Sequence, residues 1–247
     1  MRRNSESEPK HEPSDISRRG FFATIGVFAL SGLMSASCSY ERPLNHEYPW
    51  HDDIATTMFY AGEPKNGESI LSNEAGAWTK NWPEAYGGVD TPDPSKRCGY
   101  HPCDFTPKEN PFYFALPFSD YTEAGPRPPE ELKKVPWYDG QPIQGKTSVI
   151  KNQWGQFFLT LPNGTTRTAY AQWEDVGPKY DDDADYVFGN KRPRNRLSGL
   201  DCSPAVWQAL GANIEEGRIF TSWRFVDAED VPDGPWREIV TTSGPTY

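Results

Sequence analysis

Ala169-Tyr170-Ala171-Gln172-Trp173-Glu174-Asp175-Val176-Gly177-Pro178, and after a polar loop Gly199-Leu200-Asp201-Cys202-Ser203-Pro204, are the stretches on which the fold turns. The first alternates like a strand and stops at an acidic turn. The second enters a short helix, and the chain then returns through Ile219 to Val226 as another strand. Asp175 and Asp201 therefore stand at the mouths of tight elements, with little else nearby that titrates near neutral pH.

Upstream of Ala169 the pattern is also β-rich. Phe157 to Leu161 is a strand, and Pro162-Asn163-Gly164-Thr165 is a hairpin turn, because Asn-Gly accepts the positive φ a tight hairpin needs. The return strand is Thr166 to Glu174. If it stays regular, Ala169, Ala171, Trp173 and Asp175 share one face. Thr56 to Tyr60 is a first strand, and Pro111 to Pro117 an apolar run suited to a strand buried on both faces. Helices are few. Ser203 caps a helix that has Pro204 at its first position and Gly211 at its stop. Asn73 to Trp82 reads as a short helix stopped by Pro83, and Glu130 to Lys134 as one more turn.

Composition agrees with a packed, turn-rich β domain: aromatics are 14% of the chain, and Pro 24 and Gly 21 supply the turns. The net charge of −10, with no basic stripe, argues against nucleic acid and against electrostatic docking on anionic lipid.

The N-terminus reads as a targeting segment. Ser17-Arg18-Arg19-Gly20-Phe21-Phe22 resembles a twin-arginine export motif, and the apolar run Phe21 to Met34 is shorter than the roughly 20 residues of a bilayer crossing. Small residues then lead to Cys38, which resembles a lipoprotein acceptor site. The reading is a leader and export signal over 1–38, a tether over 39–55, a barrel over 56–230 with insertions 87–108 and 119–144, and a tail over 231–247. The protein would then be periplasmic, envelope-anchored or secreted, touching membrane only through the signal or a lipid on Cys38. In that oxidising setting Cys98 and Cys103 suit a small disulfide loop; a zinc site from Cys98, His101, Cys103 and Cys202 is the alternative, though its spacing matches no usual zinc pattern. The acidic run Asp181, Asp182, Asp183 and Asp185 reads as a solvated loop, neutralised by the following Lys191, Arg192, Arg194 and Arg196, rather than a calcium loop. No cofactor motif is present.

The order of Asp175-Val176-Gly177-Pro178, Gly199 to Pro204, Leu210-Gly211, Gly217 and Trp223-Arg224-Phe225-Val226 resembles the second half of a six-stranded double-psi β-barrel. It is most similar to rare lipoprotein A, the expansins and related single-barrel endoglucanases. More weakly, Phe59 to Gly62 and Phe114 to Pro117 resemble the first barrel strands. The two insertions have no counterpart in those families.

The resemblance implies an open groove that binds peptidoglycan or another extracellular polysaccharide. Asp201 would take the position of the family's essential acid, with Asp175 beside it. Glu63 and Glu68 are weaker site candidates, and Tyr60, Trp78, Trp82, Trp137 and Trp154 are candidates for sugar contact, since a pyranose face stacks on an aromatic ring. The first strand carries no carboxylate where the endoglucanases place their base, so ordinary inverting hydrolysis fits poorly. A lytic transglycosylase needs one acid/base group only. A non-catalytic, expansin-like wall-loosening protein and an envelope scaffold are the rivals.

Overall fold

A computed structural model describes residues 47–65, 72–145 and 147–246. The leader, the export-like motif, Cys38 and Glu68 lie outside the described residues. The chain is mainly β, with short helices at the barrel's edges.

Six strands close into a barrel: β1 His51–Met58, β2 Tyr113–Leu116, β3 Trp154–Thr160, β4 Thr166–Val176, β5 Leu200–Cys202 and β6 Arg218–Val226. Around the ring the order is β1-β6-β3-β4-β2-β5, and β5 returns to β1. The contacts β2–β4 and β1–β5 are parallel and the rest antiparallel, a mixture compatible with a double-psi barrel.

Local chemistry accounts for the best-defined pieces. The β3–β4 hairpin closes at Gly164, whose φ is +80°, while Asn163 Oδ1 accepts the Thr165 N–H at 2.9 Å. Helix α4, Pro204–Leu210 in chain order after α1 Trp82–Tyr86, α2 Pro129–Leu132 and α3 Ala184–Val187, is capped by Ser203 Oγ and ends on left-handed Gly211. Its buried Ala205, Val206, Trp207 and Leu210 join the barrel interior, where Phe114, Phe157, Trp173 and Phe225 pack.

Several expectations are corrected. The first strand begins at His51, not Thr56, so the end of the expected tether is barrel: Ile54 is buried and Ala55 pairs with Phe220. The helix expected over Asn73–Trp82 instead starts at Trp82. Asn81 Oδ1 accepts the Glu84 N–H at 3.2 Å, and Pro83 sits in the first turn, where its missing N–H is harmless. The expected tail packs back on the barrel. Gln172 exchanges hydrogen bonds of 2.8 and 3.0 Å with the Thr241 backbone, and the Thr246 N–H donates to Trp78 O at 2.7 Å.

A second, smaller core lies on the outer face of β2, where Phe59, Ala61, Trp82, Tyr86, Tyr113 and Ala115 meet. The insertion over residues 87–108 roofs it. Asp90, fully buried, bonds Arg97 Nη1 at 2.6 Å and the Tyr113 hydroxyl at 2.9 Å, and Cys98 and Cys103 form a disulfide at the insertion's tip.

Candidate carboxylate site on the outer barrel face

One row of residues crosses four strands. Thr57 on β1 is level with Asp201 on β5, Asp201 is level with Ala115 on β2, and Ala115 is level with Asp175 on β4. Residues level across a sheet project from the same face. Ala115 belongs to the outer cluster, so this face is the outer one. Asp201 and Asp175 stand on either side of Ala115, two strand spacings or about 10 Å apart at their Cα atoms. Ala115 between them is itself buried in the second core, 2% exposed.

Asp175 reaches this face through a bulge. Phe114 is level with Trp173, but Ala115 is level with Asp175, so β4 holds one extra residue at Glu174. The shared face expected for Trp173 and Asp175 is therefore broken: Trp173 packs inside against Phe114 and Phe225, whereas Asp175 points out. Glu174 pairs with Lys151 Nζ at 2.6 Å.

Asp201 sits on the short strand β5, just before helix α4, as its place in the sequence implied. Its Oδ1 accepts from the Thr57 hydroxyl and, at 3.3 Å, from Ser198 Oγ. The Thr57 and Ser198 hydroxyls also lie 2.6 Å apart, so with one proton each they share these contacts among themselves and the carboxylate. A Cβ built on Gly177 would lie 3.9 Å from Asp201 Oδ2, so the glycine of the acidic turn keeps that oxygen's side uncluttered. Asp201 is half-buried. Burial pushes its carboxyl up to about 6, against the lowering effect of the two hydroxyls.

Asp175 is 8% exposed, and its Oδ1 accepts the Ala77 N–H at 2.6 Å. Burial, opposed by the Ala77 and Val176 N–H groups and reinforced by the charge of Asp201, pushes it up to about 7. Glu63 is the third member. Asn73 Nδ2 holds it at 2.9 Å, and burial and the Asp201 charge raise its carboxyl. Asp201 is thus the charge felt by both other acids. On each of them it is the smallest of the acting causes, with burial the largest.

The aromatic candidates fall elsewhere. Trp78 and Trp82 are 1% and 2% exposed and belong to the cores, so neither offers a ring face to a sugar. Trp154 is buried against Val226 and Val231. Trp137 packs edge-on to Tyr48 and Phe225. Aromatics at helical spacing were more readily core than platform, and here burial takes them. Tyr60 is half-buried and lines a cavity with Pro64, Val89 and Asp90, on the insertion's side of the site. Thr57, Ser198, Ala77 and Ala115 carry no catalytic signature; strand register reveals Thr57 and Ala115, and hydrogen bonds to the aspartates reveal Ser198 and Ala77.

The cysteine and acidic-run alternatives resolve in the structure. Cys98 and Cys103 bond each other and Cys202 lies in the barrel interior, so they cannot share one zinc. Asp185 pairs with Lys134 and Lys191, and Asp182 and Asp183 with Arg194.

No protein-family profile matches the chain, and no curated protein aligns with it significantly.

Proposed function

We propose that this barrel is an exported envelope protein, similar to rare lipoprotein A and the bacterial expansins, that binds polysaccharide across the Asp201–Ala115–Asp175 row and cleaves it as a lytic transglycosylase. The observation that carries this reading is the row itself: two outward aspartates flank one alanine, and the less buried of them is held near 6. A carboxyl in that range is protonated often enough near neutrality to donate, and basic enough once ionised to accept.

The step balances on one residue. Asp201 gives its proton to the glycosidic oxygen, the C1–O bond breaks, and the leaving sugar departs with that proton as its hydroxyl. The Asp201 carboxylate then takes the proton of the muramyl C6 hydroxyl as that oxygen bonds to C1. A 1,6-anhydro sugar forms, and Asp201 is protonated again. No placed water is consumed, which suits a first strand that offers Thr57 where a base would otherwise stand. When ionised, Asp175 favours the positive charge that develops at C1.

The same missing base favours a second reading, expansin-like binding without cleavage. Incubating the purified protein and Asp201→Asn with peptidoglycan separates the two. Anhydro-muramyl ends released by the wild type and lost in the variant support cleavage. Retention on the glycan without fragments supports binding alone, and neither result leaves an envelope scaffold.

A further inference from the structure

Glu174, the extra residue of the β4 bulge, is 5% exposed and lines a cavity of about 210 Å³. The cavity is walled by Trp78, Trp82 and Ala85 and by the charged groups of Glu109, Lys151 and Glu174. An accounting of hydrogen bonds shows which of these groups are still open to a ligand. Lys151 Nζ has three N–H groups, and all are engaged, with Glu174 Oε2 at 2.6 Å, Ser243 O at 3.0 Å and Asn152 Oδ1 at 3.1 Å. Glu174 Oε1 is buried and has no hydrogen-bond partner among the described residues. Ser243 Oγ donates to Glu109 Oε1 at 3.0 Å, and no donor among the described residues reaches Glu109 Oε2. The lining's other cation, Lys108, is exposed and donates to Glu84 O at 3.3 Å.

The unfilled demand in this cavity is therefore for a donor that carries positive charge. Leaving a carboxylate oxygen away from water without a donor is costly. Burial, the largest influence, pushes the Glu174 carboxyl up to about 7; the Lys151 cation opposes the rise, the Glu109 charge adds to it, and the Thr241 hydroxyl opposes it least. An anion entering here meets two carboxylates and a lysine whose hydrogens are taken. A quaternary ammonium brings charge but no N–H. A primary ammonium brings both, and can give charge-assisted bonds to Glu174 Oε1 and Glu109 Oε2. Its carbon body then lies against the indoles and the Ala85 methyl. A cavity of about 150 Å³ takes up a benzene, so this volume admits a ring with an aminomethyl group.

We propose that this cavity is a binding site for a small organic amine, a primary ammonium on a compact apolar body. Its occupation needs neither Asp201 nor cleavage, so it stands apart from the catalytic reading.

The test is titration calorimetry of the purified protein with benzylamine, benzyl alcohol, benzoate and benzyltrimethylammonium. The variants are Glu109→Gln, Ala85→Phe and Lys108→Met, each checked for native circular dichroism. Gln at position 109 keeps an acceptor for Ser243 and removes the charge, and Phe at position 85 fills the cavity. The expected result is one benzylamine per chain, bound at least tenfold more tightly than the other three compounds. Binding should weaken about tenfold in Glu109→Gln, vanish in Ala85→Phe and stay within twofold in Lys108→Met. It should also be tighter at pH 8 than at pH 6, because the ammonium favours ionised Glu174. Equal binding of benzyl alcohol or benzyltrimethylammonium, a preference for benzoate, or benzylamine binding unchanged in Glu109→Gln overturns the proposal. So does an absence of benzylamine binding at about 10 mM, which would assign the cavity to water. If Ala85→Phe does not fold, Glu109→Gln and the four compounds decide the matter.

Discussion

Thr57 sets how acidic Asp201 is. Its hydroxyl donates to the ionised form, so removing it with Thr57→Val raises the Asp201 carboxyl above about 6. The alkaline limb of the pH–rate profile, where the acid loses its proton, then moves to higher pH, and chromatographic assay of anhydro-muramyl fragments released in buffers across that range measures it. Asp175 yields a stability prediction. Its folded carboxyl, pushed up to about 7, exceeds the ordinary 3.8, so folding favours the protonated form. That contribution is fully present below about pH 4 and is lost as pH rises toward 7. Asp175→Asn keeps an acceptor for the Ala77 N–H and has no charge to bury. Thermal melts should show the variant more stable than wild type at pH 8, by at most on the order of 4 kcal/mol, with the gap closing at pH 4. A wild type that is the more stable of the two at pH 8 would contradict it.

At the scale of elements, the insertion over residues 87–108 is held by charge as well as by its disulfide. Arg97→Met leaves Asp90 buried without its cation, a loss of roughly 3–5 kcal/mol, and urea unfolding should show it as a lower midpoint. A midpoint unchanged from wild type would mean that the pair is not buried as described. The elements legible in the chain were those closed by local chemistry: the Asn163-Gly164 hairpin and the Ser203–Gly211 helix need only their own residues. The bulge at Glu174 was not legible, because it exists only against β2, nearly sixty residues earlier in the sequence. Pro83 has two meanings, helix stop or helix start, and Asn81 in front of it selects the second. Strand β5, Leu200–Cys202, is too short to show alternation, so only the position of Asp201 just before the helix was legible, not its strand.

At the scale of the molecule, barrel closure brings the site together. Parallel pairing places β5 against β1 and β2 against β4, so residues more than a hundred positions apart meet in one row. The two aspartates could be picked out from the sequence, but not the hydroxyls and backbone groups that tune them. The C-terminal segment is equally a product of closure. Ending the chain at Asp230 strips the Thr241 partner from buried Gln172 and the Trp236 ring from Tyr170, and should lower the melting temperature by several degrees. Carboxyl-carbon NMR titration of the aspartates in wild type and in Asp201→Asn tests the site most directly. In the wild type Asp201 should titrate near 6 and Asp175 near 7, and in the variant, freed of the neighbouring charge, Asp175 should titrate lower. An Asp201 titrating near the ordinary 3.8, or an Asp175 titration identical in both proteins, would contradict a shared, coupled site.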